Sequence, residues 1–156
     1  MASFALPREP ACGSLVPTEV AQNRLAAEIG PVSNDVNEHS RGLLAAGAAL
    51  AGIAVALGAF GAHALNGRIS AEALGWWHTA VEYQMWHALA VVALALSGRS
   101  WARVPAWLFV AGAAVFSTTL YAMARGAPHW LGAITPLGGV AMIAGWTVLA
   151  WRIVRL

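Results

Sequence analysis

"GLLAAGAALAGIAVALGAFGAHAL", Gly42 to Leu65, contains no aspartate, glutamate, lysine or arginine in 24 residues. A helix crossing the ~30 Å hydrocarbon core of a bilayer needs about 20 apolar residues at ~1.5 Å each. This stretch is long enough, and three more follow it at about 73–96, 104–124 and 130–151. The links between them, Asn66–Glu72, Ser97–Arg103 and Arg125–His129, are short. Short links force neighbouring helices to run antiparallel, and in lipid the backbone must satisfy itself within each span. The expected fold is an all-α membrane protein: an up-down bundle of four transmembrane helices, residues 41–156, with a flexible N-terminal tail.

Composition agrees. Hydrophobic residues make up 59% of the 156-residue chain and charged residues 10%, against about 25% charged in a soluble domain. All nine basic residues are arginines, and the net charge is only +2. They are scattered between apolar runs, so nucleic acid is not an expected partner. Cys12 is the single cysteine, which excludes an internal disulfide and a cysteine-based metal site. No hydrophobic stretch precedes it, so "EPAC" (residues 9–12) does not read as a lipoprotein signal.

Residues 1–40 differ from the rest. They carry Pro7, Pro10, Pro17 and Pro31 and five of the seven acidic residues. They read as a polar, disordered tail, with a short helix at Thr18–Glu28 capped by Thr18 and stopped at Gly30-Pro31.

Arginine placement sets the expected orientation. Arg41, Arg99, Arg103, Arg152 and Arg155 fall on one side of the four spans, and Arg68 and Arg125 on the other. The positive-inside rule then places both termini in the cytoplasm, in the cytoplasmic (inner) membrane. Trp76, Trp77, Trp101, Trp107, Trp130 and Trp151 lie near span ends, where amphipathic rings prefer the interface. In the first span, small residues four apart (Ala48, Gly52, Ala56; Gly58, Ala62) would admit a neighbouring backbone closely.

The second span carries polar groups into the membrane: "WWHTAVEYQMWHALAVV", Trp76 to Val92, holds His78, Glu82, Tyr83, Gln84 and His87. An ionised carboxylate at a helix centre costs roughly 2.5–3.5 kcal/mol on insertion scales, so Glu82 is the strongest signal of a site. By depth, His63, His78, Glu82, Tyr121 and Thr135 fall in the outer half of the bundle. At about 100° per residue His78 and Glu82 share a face, whereas His87 lies about 180° from His78. The simplest cluster is therefore His63, His78 and Glu82, closed by Tyr121 and Thr135. In "GAITPLGGVAMIAGW" (Gly132–Trp146), Pro136 would kink the fourth helix and free the Gly132 carbonyl, with Gly138 and Gly139 allowing close packing. No "CxxCH" or "HExxH" occurs, so no metal or cofactor is expected.

"GAFGAHAL" (Gly58–Leu65), "WHTAVEYQMWHALA" (Trp77–Ala90) and "GAITPLGGVAMIAGW", in that order, resemble the small membrane-protein family called domain of unknown function 423, whose members are YgdD- and YwdK-like and related to transmembrane protein 256. "FSTTLYAM" (Phe116–Met123) is similar to the family's third-helix pattern. The resemblance implies four helices in the cytoplasmic membrane and supplies no activity. It marks His63, Thr79, Glu82, Tyr83, Gln84, His87, Tyr121, Thr135, Pro136, Gly138, Gly139 and Trp146 as candidate site positions.

The expected function is that of a non-enzymatic accessory or assembly subunit, contacting the lipid bilayer and a membrane protein or a second copy. The alternatives are a proton- or small-solute-translocating protein with Glu82 as its titrating group, and a membrane metal or haem redox protein using His63, His78 and Glu82.

Overall fold

In a computed structural model, residues 34–155 are described. The expected helix at Thr18–Glu28 lies outside them. One compact unit, Asp35–Leu156, holds the helices, the first of which starts one residue before it. Its elements are α1 (Asn34–Phe60), continued by a π-helical turn at Gly61–Leu65, then α2 (Ala71–Leu96), α3 (Arg103–Ala124) and α4 (Thr135–Val154). Short 3₁₀ turns at Ser100–Ala102 and His129–Ala133 lead into α3 and α4. Four segments, Ser40–Leu65, Ala71–Leu96, Ser100–Ala124 and His129–Val154, are long and apolar enough to span a membrane. Because α1 begins at Asn34, residues 34–40, expected in the tail, are helical instead.

Each helix buries a stripe at helical spacing. In α2 it is Trp77, Ala80, Gln84, Ala88, Val91 and Ala95, steps of three or four residues, with His87 beside Ala88 widening it. In α4 it is Thr135, Gly138, Met142 and Gly145. The contacts run antiparallel from helix to helix: Leu57 meets Trp77 and Leu50 meets Gln84; Gly145 meets Phe109 and Gly138 meets Phe116. Toward one end the interior is an apolar cluster of Leu43, Val91, Ala95, Ala106 and Phe109, with Leu149 packed against it. Arg99 sits over Trp101 and Arg155 over Trp151 (5.9 and 4.3 Å to the ring centroids), as expected of an interfacial girdle at helix ends. At the other end Ser70 caps α2, its Oγ accepting from Ala73 N at 3.1 Å.

Glycine governs how closely the helices approach. A Cβ on Gly138 would stand 2.6 Å from Phe116 N and 2.7 Å from Gly112 O, and one on Gly112 would stand 2.8 Å from Gly138 O. Here α3 and α4 touch backbone to backbone. Gly145 receives the Phe109 ring, Gly61 the Trp77 ring and Gly47 the Val92 side chain, with 2.6, 2.6 and 2.8 Å to a Cβ placed there.

Three expectations are corrected. The Ala48–Gly52–Ala56 stripe faces outward, and a Cβ on Gly52 would meet nothing within 4 Å. Spacing alone reports that small residues share a face, not which way the face turns. Gly139 likewise has open space around it and is not required for packing. Pro136 does not kink a continuous helix. The chain runs 3₁₀ through Ala133, and Pro136 occupies the first turn of α4, where a missing N–H leaves no hydrogen bond unmade.

Candidate functional site

Polar side chains inside the bundle form three linked groups, all at mid-depth or toward the α1–α2 turn. In the first, Gln84 joins three helices. Its Nε2 donates to Leu50 O on α1 at 2.8 Å, and its Oε1 accepts from the Tyr121 hydroxyl on α3 at 3.1 Å. Gln84 and Tyr121 reach each other because helical side chains lean toward the N-terminus, which on antiparallel α2 and α3 tilts the two side chains toward one another. Its ring packs on Trp77, 4.6 Å between centroids, while Trp77 Nε1 donates to Leu57 O at 2.8 Å. Beside them Ser117 Oγ donates to Ala80 O at 2.9 Å.

In the second group, Thr119 and Thr135 share a hydroxyl–hydroxyl bond of 2.9 Å between α3 and α4. Each hydroxyl also reaches a carbonyl of its own helical segment.

In the third, His87 lies between Tyr83 O (2.8 Å from Nδ1) and Trp146 Nε1 (3.2 Å from Nε2). An indole N–H only donates and a carbonyl only accepts. Nδ1 therefore carries the proton and Nε2 accepts, which makes His87 the neutral Nδ1–H tautomer. Phe109 packs edge-on to the ring at 5.3 Å. A cleft of about 330 Å³ beside it, lined by Tyr83, His87, Phe116, Met142, Ile143 and Trp146, opens on the outer surface between α2 and α4.

Among the described residues no buried side-chain nitrogen or oxygen lacks a hydrogen-bond partner. The interior polar groups are consumed by one another and by backbone carbonyls.

Of the sequence-derived candidates, Gln84, His87, Tyr121 and Thr135 enter this network. His63, His78 and Glu82 do not. All three are exposed, and the expected cluster of His63, His78 and Glu82 closed by Tyr121 and Thr135 does not form. On α2, Glu82 points almost opposite to Gln84, about 200° around the axis at about 100° per residue. Tyr83 is partly exposed at the cleft mouth, with its ring on Phe116 at 4.9 Å and Trp86 at 5.4 Å. Among the described residues no three histidine, cysteine, aspartate or glutamate side chains converge as metal ligands would.

Trp77 was expected in the interfacial belt, yet it is 2% exposed. Its neighbour Trp76 is partly exposed and lies near the span end. The two adjacent tryptophans point about 100° apart, and the rotation of α2 turns Trp77 inward. Ser117 and Thr119 read in sequence only as part of a polar stretch. Which of Ser117, Thr118 and Thr119 turn inward depends on the helix rotation, and Thr118 is the exposed one.

Fold and interior together define a multi-pass, four-helix membrane protein whose polar residues tie its helices together. A family model described as "Protein of unknown function (DUF423)" matches residues 57–139. The UPF0382 membrane protein YwdK of Bacillus subtilis is 45% identical over 114 residues, covering 70% of this chain and 93% of that protein. The UPF0382 inner membrane protein YgdD of Escherichia coli K12 is 38% identical over 116 residues, covering 70% and 87%. A UPF0382 membrane protein of Haemophilus influenzae is 44% identical over 100 residues, covering 62% and 81%. No solved structure matches the chain. The chain belongs to the DUF423 family, a family of membrane proteins of unknown function.

Proposed function

We propose that this chain is a non-enzymatic accessory or assembly subunit of the cytoplasmic membrane, with both termini in the cytoplasm. One observation carries the function: the division of its polar groups. Among the described residues every buried side-chain nitrogen and oxygen has a hydrogen-bond partner, in another helix or in a backbone carbonyl, so the buried polar groups serve the packing of the helices. The ionisable pair His78 and Glu82 is turned outward, and neither has a hydrogen bond or ion pair among the described residues. Intramembrane carboxylates almost always find a polar partner. An outward-facing one is suited to a contact with another protein. The relative named an inner membrane protein, YgdD, supports the location. The five arginines at one end against two at the other support the orientation.

The test is purification from the native host in mild detergent, with a parallel proton-flux assay in proteoliposomes. A defined protein complex, diminished by Glu82→Gln, with no flux above empty vesicles, is the expected result. A flux that Glu82→Gln abolishes would replace assembly with translocation. Cysteine labelling across the membrane should place the Ser97–Arg103 link on the cytoplasmic side.

A further inference from the structure

The lipid-facing side of α2 carries a feature that the fold of one chain does not satisfy. Glu82 lies 11 residues beyond Ala71 in a helix ending at Leu96, about 2 Å from the helix midpoint at ~1.5 Å per residue. A carboxyl group at that depth, exposed and without an intrachain partner among the described residues, faces hydrocarbon in a monomer. The same face carries His78 one turn away, with Trp86 and Leu89 more than half exposed beyond it. All seven arginines of the described residues lie outside the middle of the spans. At this depth, the outward basic group that this chain itself offers to a carboxylate is His78.

We propose that a second copy of this chain covers this face, with His78 of each protomer pairing with Glu82 of the other around a two-fold axis along the membrane normal. This rests on the assembly role proposed above and names its partner. Two-fold association needs a self-complementary surface. An acid and a base one helical turn apart on one face supply that, since bringing the two faces together about the axis puts each acid diagonally across from the other chain's base, one turn away in depth. The vertical offset is about 6 Å, four residues at ~1.5 Å. At the 8–10 Å spacing typical of packed helices, the two side chains bridge the remaining distance. Trp86 and Leu89 extend the contact toward the other leaflet. The pairing also gives each carboxyl the polar partner that hydrocarbon denies it.

The test uses the full chain in lipid membranes, with Cys12→Ser removing the single native cysteine. Leu89→Cys, on the same face as Glu82, should give a disulfide-linked dimer on mild oxidation, and Val140→Cys, exposed on α4, should not. Single-molecule photobleaching then measures self-association. His78→Glu alone and Glu82→His alone, which set like groups together, should each weaken dimerisation at least tenfold. The combined His78→Glu and Glu82→His chain should restore it to within about threefold. Circular dichroism of each variant separates a lost dimer from a lost fold. A monomer in membranes, equal cross-linking at both cysteines, or single variants that dimerise like the parent would overturn the pairing. If the chain stays monomeric yet another membrane protein is recovered with it in a Glu82-dependent manner, the second copy is refuted and the assembly role stands. If neither is found, both fall.

Discussion

Replacing Gly138 with alanine should loosen the α3–α4 seam, and the structure sets the size of the effect. The added Cβ would lie 2.6 Å from Phe116 N and 2.7 Å from Gly112 O. Both are backbone atoms, so no rotamer change relieves the clash. Reaching an ordinary contact of 3.4 Å requires the helices to part by about 0.8 Å there. Overpacking of this kind costs about 1–3 kcal/mol. The Thr119–Thr135 bond, 2.9 Å and one turn away on both helices, would stretch to about 3.7 Å, beyond hydrogen-bond range. Its loss adds about 0.6 kcal/mol, the average for interhelical bonds in membranes. The expected destabilisation is about 2–4 kcal/mol, measured by reversible unfolding in mixed micelles with tryptophan fluorescence as the signal. Gly52→Ala is the control. It adds the same methyl group where nothing lies within 4 Å and should leave stability unchanged or slightly raised. A Gly138→Ala chain as stable as the parent, or equal losses at Gly52 and Gly138, would show that α3 and α4 do not meet backbone to backbone.

Further outcomes follow from the hydrogen-bond network. A double-mutant cycle of Gln84→Leu and Tyr121→Phe should give a coupling energy of about 0.6 kcal/mol and no more than about 1.7; a coupling of zero would remove the Gln84–Tyr121 bond. Trp146→Phe keeps an aromatic ring, though a smaller one, and removes the donor to His87 Nε2. Nitrogen NMR should show the single Nδ1–H tautomer of His87 in the parent and a tautomer mixture in the variant. Trp77→Phe should cost about 1–3 kcal/mol, because Leu57 O loses its indole donor and the pocket against Gly61 is left underfilled. Pro136→Ala should change stability by less than about 0.5 kcal/mol, since a first-turn proline completes no helical hydrogen bond and the side chain is exposed.

How far the site could be read varies from residue to residue. Glu82 was legible as unusual because a carboxylate in an apolar run carries its own cost wherever it points. That His78 shares its face and His87 does not followed from 100° per residue. The proposed meeting of His63, His78 and Glu82 failed because depth and angle within a helix do not specify its rotation against its neighbours. The α2 rotation is decided by Trp77, Ala80, Gln84, Ala88 and Val91 fitting the surfaces of α1 and α3, and it turns Glu82 away. Pro136 was misjudged for a related reason: its effect depends on where the α-helix starts, and the 3₁₀ turn at His129–Ala133 delays that start.

The amino-acid order by itself determined that four segments cross the bilayer, that they alternate in direction, and that ionisable groups accompany the second. Hydrocarbon enforces these outcomes locally, through the length of each apolar run and the brevity of each link. Only the tertiary structure decided which glycines let helices touch, which polar groups pair across helices, and which side of α2 faces out. Those depend on the mutual fit of several surfaces at once, and a packing shared among helices leaves no periodic trace in any one of them.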